Sequence, residues 1–367
     1  MSDLNQFLKD NKMLIDSFDQ KEVESAFLHD MTEKRSLRMI PSYQKSSKED
    51  LPSYPILAID AGGTNLRFAL IDNGEIVSEN RMPMFGLTEE ISVDRFFDLM
   101  AEEIEKYDTD KIGFCFSYPC EILENRDGRI LTFAKEIKIK GEHGRILGEE
   151  LNKRLTKKRE FSVLNDTVAA QLGVAADVGI ILGTGFNICF TDPKQGIIVV
   201  SECGLYDGLP LGRFDEMLLD EIKSPKNESE KLLSGAYLGK LIEITAREYF
   251  GREMPKFELK DVSEFLIGEG VLNDFLVSTQ DRNDFRGIVS ALQERASYYV
   301  AMMLKCLVSG YEKGTHIKVA LEGSTVYKMP GYHEALVNAV EDMMGEDIEF
   351  VDARGTLLYG CARSLLS

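Results

Sequence analysis

A turn rich in glycine carries the side chains that a phosphate-binding site needs. It is Asp60-Ala61-Gly62-Gly63-Thr64-Asn65, and Arg67 follows two residues later. Adjacent glycines let the backbone come close to a ligand and point N–H groups at phosphate oxygens. The turn therefore indicates phosphate binding, with Asp60 holding a hydrated Mg²⁺ and Arg67 offsetting charge during a transfer. An ordinary glycine turn with a solvated Asp60 and Arg67 is the alternative.

A second turn of the same kind, Gly183-Thr184-Gly185, follows an apolar run about 120 residues further on. One such turn is weak evidence, because Gly-Thr-Gly is common. Two of them, each between predicted strands, favour a site that holds both ends of a triphosphate. The chain contains no Walker A pattern and none of the landmarks of a protein kinase, so those two classes are excluded.

Asn165 and Asp166 stand where a predicted strand ends and a predicted helix begins. This pair caps helices well, which is the structural interpretation. The functional interpretation is that Asp166 is a general base, since a helix N-terminus keeps a carboxylate ionised and able to accept a proton from a bound hydroxyl. The two interpretations are compatible.

The elements that position these residues alternate along the chain. Residues 2–40 have helical spacing, and residues 41–55 form a break with three prolines. Short apolar runs predict strands at 56–59, 66–71, 75–80, 111–116, 161–164, 180–182, 188–190, 316–321 and 348–351. Amphipathic spacing predicts helices at 93–106, 145–157, 213–222, 228–249, 282–308 and 331–344. Interleaved helices and strands indicate an α/β protein.

The charge composition limits the classes of molecule that the chain could bind. The chain has 367 residues, with 43 basic and 62 acidic side chains and a formal net charge of −19. The length suggests two domains. The acidic balance argues against nucleic acid and against an anionic membrane surface as partners. An anionic ligand would need a local positive field from the site itself.

Cysteine usage and the N-terminus indicate the compartment. None of the six cysteines forms a C-x-x-C pair, and the four histidines are scattered, so we expect reduced thiols and no zinc site. No apolar run approaches the roughly 20 residues of a membrane span. The first residues carry charges and no signal-peptide core. We therefore expect a soluble, cytoplasmic protein.

Six motifs in order carry a resemblance to a known family. They are Asp-Ala-Gly-Gly-Thr-Asn-Leu-Arg (60–67), Phe-Ser-Tyr-Pro (116–119), Leu-Asn-Asp-Thr-Val-Ala (164–169), Leu-Gly-Thr-Gly-Phe-Asn (182–187), Ser-Gly-Ala-Tyr-Leu-Gly (234–239) and Glu-Gly-Ser-Thr-Val-Tyr (322–327). From about residue 56 onward the chain resembles the eukaryotic-type hexokinase family, within the actin/Hsp70/sugar-kinase superfamily. The ordered series is far more specific than any single motif.

The resemblance implies an α/β, two-lobed, actin-like (ribonuclease H-like) ATPase fold with a central interdomain cleft. Residues 56–165 with 354–367 would form the small lobe, and residues 166–353 the large lobe. Residues 1–55 would be an N-terminal helical segment that packs on the large lobe. Because the implied sugar ligands fall in both lobes, we expect the sugar to close the cleft.

The resemblance also implies a role for each matching site residue. Asp166, as base, and Arg67 would be catalytic. The implied sugar ligands are Ser117, Lys135, Asn165, Asp166, Asn187, Glu202 and Glu230. The implied nucleotide ligands are Asp60, Gly62, Gly63, Thr64, Asn65, Gly183, Thr184, Gly185, Gly323, Ser324 and Gly355. Surface positions remain the alternative for Lys135, Glu202 and Glu230.

The implied activity is ATP-dependent phosphorylation of a hexose, with glucose expected, at its 6-hydroxyl, the first step of glycolysis, with Mg²⁺. Three positions depart from the family pattern: Ala134 has no hydroxyl, Phe186 is bulky, and Cys203 stands where a tryptophan is usual. These departures keep open a catalytically weak hexose-binding sensor, and the shared phosphate turns keep open an ATPase that acts on a partner. The preferred hexose and the oligomeric state stay open.

Overall fold

The computed structural model describes residues 3–133, 137–141, 144–223, 226–345 and 347–366. Within these ranges the helices are α1 (Asp3–Asp10), α2 (Gln20–Glu33), α3 (Val93–Ile104), α4 (Leu147–Asn152), α5 (Asp166–Gly173), α6 (Arg213–Ile222), α7 (Glu228–Leu233), α8 (Gly235–Phe250), α9 (Leu259–Leu266), α10 (Val271–Phe275), α11 (Thr279–Leu307), α12 (Ser324–Lys328), α13 (Tyr332–Met344) and α14 (Leu357–Arg363). The strands are β1 (Ile40–Lys45), β2 (Ile56–Ala61), β3 (Asn65–Asp72), β4 (Glu75–Pro83), β5 (Ile91–Ser92), β6 (Lys111–Phe116), β7 (Cys120–Ile122), β8 (Gly128–Ile130), β9 (Ile139–Lys140), β10 (Glu160–Leu164), β11 (Val178–Leu182), β12 (Phe186–Thr191), β13 (Ile197–Val200), β14 (Ile317–Glu322) and β15 (Ile348–Asp352).

Two mixed sheets carry most of the strands. The five-stranded sheet has the order β10-β6-β2-β3-β4, and the six-stranded sheet has the order β1-β13-β12-β11-β14-β15. In each sheet a hairpin joins two antiparallel strands around a glycine turn, β2–β3 in the first and β11–β12 in the second. The first strand of each hairpin also pairs in parallel with a neighbour, β6 or β14. The two halves of the chain therefore repeat one strand–turn–strand arrangement.

Strand β2 shows why the five-stranded sheet lies between two hydrophobic cores. Leu57, Ile59 and Ala61 pack on one face with α3 and α4, whereas Ile56 and Ala58 pack on the other face with α5 and α14. Side chains alternate between the faces of a strand, so a run that is apolar at every position is buried on both sides. The six-stranded sheet has its own large core with the helices of the second half of the chain.

Helices α5 and α14 lie in the layer between the two sheets and approach each other closely. A Cβ at Gly360 in α14 would overlap the Ala169 carbonyl of α5, and a Cβ at Gly173 in α5 would overlap Thr356. Arg363 Nη1 donates to the Leu172 carbonyl at 2.8 Å. Glycine at both positions is thus a steric requirement of this crossing.

The N-terminal segment is not wholly helical, which corrects the expectation for residues 1–55. Helix α2 ends at Glu33, and the predicted break contains β1, which pairs antiparallel with β13. β1 is the edge strand of its sheet, where Pro41 is tolerated because its missing N–H is not needed. Helices α1 and α2 contact α11. The proposed lobe boundaries remain predictions.

No helix within the described ranges combines the length and the apolar character needed to cross a bilayer. The longest, α11, spans 29 residues and includes charged side chains along its length.

Candidate active site

The first glycine turn is held by neighbours on both sides. Gly62 N–H donates to the Asn65 carbonyl at 3.0 Å, and Tyr118 Oη donates to the Gly62 carbonyl at 2.7 Å. Gly63 and Thr64 are exposed, and a Cβ at Gly63 would meet no atom within 4 Å. The turn is therefore braced from behind while its open side faces solvent, as a phosphate cradle requires.

Asp60 and Arg67 occupy paired positions on β2 and β3 beside this turn. Arg67 Nη1 lies 3.9 Å from Asp60 Oδ2. Burial raises the pKa of Asp60 to about 6, Arg67 lowers it, and Asp166 raises it further. Asp60 is thus a desolvated carboxylate with a cation on one side and a second carboxylate within electrostatic reach.

Asp166 begins α5, directly after β10, as the strand–helix junction predicted. Its Oδ1 accepts a hydrogen bond from Thr167 N at 2.8 Å, while Asn165 Oδ1 caps the helix by accepting from Val168 N at 2.9 Å. Burial raises the pKa of Asp166 above the usual carboxyl value. Because Asn165 supplies the cap, the Asp166 carboxylate is not required for it. This leaves Asp166 available for chemistry.

The second glycine turn is closed by contacts from three elements. Gly183 N–H donates to the Gly185 carbonyl at 3.0 Å, while the Gly183 carbonyl accepts from Gly235 N and from Thr325 Oγ1, both at 2.8 Å. A predicted helix over 228–249 is broken at Ser234 for this reason, since α8 must start where Gly235 N–H reaches the turn. Gly323 packs against Gly183 with φ of 139°, and a Cβ there would overlap the Leu182 carbonyl.

Thr184 and Ser324 open onto one cavity of about 400 Å³. Its other lining residues come from α8, α9 and α12 and include Gly235, Glu258, Lys260, Ser263 and Lys328. The size suits a nucleoside next to a phosphate turn. The α9 residues of this cavity were missed by the sequence analysis because they belong to no glycine motif.

Gly355 does not line that cavity. It lies in the turn after β15 with φ of 78°, and a Cβ there would meet no atom within 4 Å. Its neighbour Arg354 pairs with Asp352 at 2.6 Å and stacks 4.0 Å above the Tyr327 ring. Gly323 is not among the lining residues of that cavity either, so the predicted place of Gly355 in the nucleotide site remains a prediction.

Three of the predicted sugar ligands meet behind the second turn. Asn187 Nδ2 donates to Glu202 Oε1 at 3.1 Å, and Glu230 Oε2 accepts from Phe186 N at 3.3 Å. Burial raises the pKa of Glu202, and Asp166 and Glu230 raise it further. Glu202 also has φ of 57°, a strained backbone state for this residue type of the kind that clusters at functional sites.

Ser117 follows β6 on the side of the first turn. Its N–H donates to the Ala61 carbonyl at 3.2 Å, and its side chain is exposed. Asn165 and Glu202 border a small cavity between the sheets, which β1 and β7 also line. Lys135 and Ala134 lie outside the described residues, so their predicted place in the site remains a prediction.

Glu322 is an acidic residue near Asp60 and Asp166 to which the sequence analysis assigned no role. It ends β14 just before Gly323, and burial together with Asp166 and Asp60 raises its pKa. A carboxylate near the end of a strand, with glycine one or two residues later, is the signal that also marked Asp60. The motif at 322–327 predicted nucleotide ligands only at Gly323 and Ser324.

The carboxylates fit a hydrated magnesium ion better than a protein-built metal centre. Among the described residues, no group of three or more His, Cys, Asp or Glu is arranged to hold a metal ion. Mg²⁺ keeps several waters and uses one or two carboxylates with substrate phosphates. Asp60, beside an open glycine turn, satisfies this requirement.

Comparison with known proteins identifies the family. One model described as Hexokinase matches residues 6–176, and a second matches residues 177–364. Hexokinase-4, chloroplastic, of Oryza sativa subsp. japonica is 26% identical, over 85% of this chain and 76% of its own length. Hexokinase-2 of Equus caballus is 27% identical over 67% of this chain. The chain spans about a third of the length of the first curated relatives that it matches, 32% for the Equus caballus protein.

Solved structures confirm the predicted fold. A hexokinase from Schistosoma mansoni complexed with glucose has a TM-score of 0.75 at 20% identity, over 98% of both chains. A ROK hexokinase from Thermus thermophilus has a TM-score of 0.56 at 19% identity, over 84% of this chain and 97% of that one. The α/β, two-lobed sugar-kinase fold is therefore shown. With both family models matched in order along almost the whole sequence, the chain belongs to the hexokinase family.

Proposed function

We propose that this member of the hexokinase family transfers the γ-phosphoryl group of ATP to the 6-hydroxyl of a hexose, with glucose the expected substrate. The observation that carries the proposal is the position of Asp166. It starts α5 with its cap supplied by Asn165, and its charge reaches Asp60 on the phosphate side and Glu202 on the sugar side. A base between these two groups is what phosphorylation of an alcohol requires.

The polar residues behind the second turn suit a neutral polyol. Asn187, Glu202 and Glu230 offer acceptors and a donor, and they are partly buried. A site built to hydrogen-bond each hydroxyl rejects analogues that lack one, because its own polar groups are then left unpaired. Together with Ser117, Lys135 and Asn165, these residues are proposed to bind the hexose.

In the proposed reaction Asp166 accepts the proton of the 6-hydroxyl as that oxygen bonds to the γ-phosphorus and ADP leaves. The two glycine turns hold the phosphates through backbone N–H groups, and Arg67 offsets the charge that develops. Asp60 is proposed to hold Mg²⁺ through water. The ion, when bound, would neutralise phosphate charge and orient the transferred group.

The decisive experiment is a coupled ADP-release assay with purified protein and glucose, fructose, mannose, galactose or glucosamine. We expect hexose-dependent ADP release that requires Mg²⁺. Binding of a hexose without turnover would instead support the sensor. Brisk ADP release without sugar would support an ATPase acting on a partner, since that class shares the phosphate turns but not the sugar ligands.

A further inference from the structure

Glu79 holds the Arg67 guanidinium beside the first glycine turn. Arg67 Nε and Nη2 each lie 3.0 Å from Glu79 Oε1, whereas Nη1 lies 3.9 Å from Asp60 Oδ2. The exposed fractions are 24% for the Arg67 side chain and 37% for that of Glu79. Nε donates the hydrogen bond and Nη2 faces the same oxygen, so Glu79 holds this edge of the guanidinium. The remaining nitrogen, Nη1, therefore faces Asp60.

A β-bulge creates this contact. Next to the turn Asp72 pairs with Glu75, and the register between β3 and β4 then shifts between Leu70 and Ile71, which places Ala69 opposite Glu79. A slip of one residue moves every side chain of a strand to the other face. Without the bulge Glu79 would lie on the face away from Arg67. Bulges are frequent beside active sites, where they re-aim a side chain.

Apart from Glu79, the charged neighbours of Arg67 would draw its guanidinium towards Asp60. Arg81 on β4 lies directly opposite Arg67, and Asp60 on β2 lies opposite it on the other side. Like charges in such pairs repel and opposite charges attract. Without Glu79, Arg67 would move away from Arg81 and close onto Asp60. A hydrogen-bonded pair, in place of the present 3.9 Å separation, would engage both the carboxylate and the cation that the phosphates need.

We propose that Glu79 is a positioning residue for phosphoryl transfer, which keeps Arg67 apart from Asp60 so that both groups face the nucleotide phosphates. The inference rests on the proposed function, in which Arg67 acts on phosphate charge. Glu79 belongs to none of the sequence motifs, and it acts through Arg67 rather than on the substrate.

The kinetic test is a double-mutant cycle. Glu79→Gln keeps the size of the side chain and removes its charge, and it should lower kcat about tenfold while the KM for hexose stays within about twofold. In an Arg67→Gln background the same change should have little further effect, because a residue that acts through Arg67 has nothing left to position. Glu75→Gln is the matched control, since it removes the same charge from the far end of β4.

A spectroscopic readout makes the result independent of turnover. The Nε–H resonance of Arg67, assigned with Arg67→Gln, should be protected from exchange in the wild type and in Glu75→Gln, and should lose protection in Glu79→Gln. Unchanged kinetics and protection in Glu79→Gln would overturn the inference, and so would a loss that persists in the Arg67→Gln background. A wild type without hexose-dependent ADP release would refute the proposed function instead, while the resonance would still decide the contact.

Discussion

Gln44 Nε2 donates a 2.8 Å hydrogen bond to Ser162 Oγ, although Gln44 lies in the six-stranded sheet and Ser162 in the five-stranded sheet. Both residues are fully buried. β10, which contains Ser162, leads directly to Asn165 and Asp166. The bond thus links the two sheets, and we expect it to act as a fixed point when the lobes close.

We expect hexose to close the cleft about this fixed point. A ligand that contacts both lobes favours the closed state through its additional contacts. Saturating glucose, without nucleotide, should lower the radius of gyration measured by small-angle scattering. Hydrogen exchange should show new protection at Gly62–Thr64 and unchanged protection at Gln44. An unchanged radius of gyration together with rapid ATP hydrolysis without sugar would contradict this mechanism.

Asp166→Asn should lower kcat by a factor on the order of 10² or more, because the proposed general base is lost. Hexose binding should be kept, because asparagine has the size of aspartate and can still form hydrogen bonds. Calorimetric titration with glucose and the coupled assay measure the two effects. Asp342→Asn, on the exposed side of α13, is the control for an equal change in charge. A near-normal kcat in Asp166→Asn would leave Asp166 with a structural role only.

The pH dependence of kcat/KM should show an acid limb near pH 6. Burial raises the pKa of Asp60 to about 6 and also raises the pKa of Asp166. A raised pKa means that the proton stays bound at higher pH, and the proposed mechanism requires both groups to be ionised. Activity should therefore fall as pH drops through about 6. A profile that stays flat down to pH 4.5 would show that neither carboxylate must ionise in this range.

Gly63→Ala should separate nucleotide binding from folding. Since a Cβ at Gly63 would meet no atom within 4 Å, the free energy of unfolding should change by no more than about 0.5 kcal/mol. The methyl group would nevertheless stand on the open side of the cradle. The KM for ATP should rise by a factor on the order of ten, as for the loss of a hydrogen bond to a charged group.

Gly310→Ala is the control for Gly63→Ala, because the nearest atom to a new Cβ there is Pro193 Cγ at an ordinary 3.6 Å. Equal KM values for ATP in the two variants would remove Gly63 from the nucleotide site.

Arg295 and Asp215 form a buried ion pair, with side chains 2% and 0% exposed and an Nη2–Oδ1 distance of 2.6 Å. Asp215→Asn should lower the free energy of unfolding by about 3–5 kcal/mol, because a buried cation loses its counter-charge. Urea denaturation measures the change. The double variant Asp215→Leu/Arg295→Met should recover most of the loss, and a double variant less stable than either single one would contradict this account.

The sequence predicted the parts of the site that depend on local order. Asp60, Asp166 and the two glycine turns each lie within a few residues of the end of a strand, and an apolar run followed by a polar or glycine residue is a local signal. β1 was not predicted, because Pro41 indicated a break, although proline is tolerated in an edge strand. The break at Ser234 was missed because only the distant Gly183 carbonyl explains it. The contact between Glu79 and Arg67 depends on a bulge, which no spacing rule predicted.

The close crossing of α14 on α5 has a consequence for biosynthesis. α14 follows both sheets in the chain, yet it supports the helix that begins with Asp166. During translation, every proposed sugar and phosphate ligand before it leaves the ribosome while this support is still missing. A nascent chain can therefore complete the strands of both sheets, but it can hold Asp166 firmly only after α14 has emerged and packed on α5.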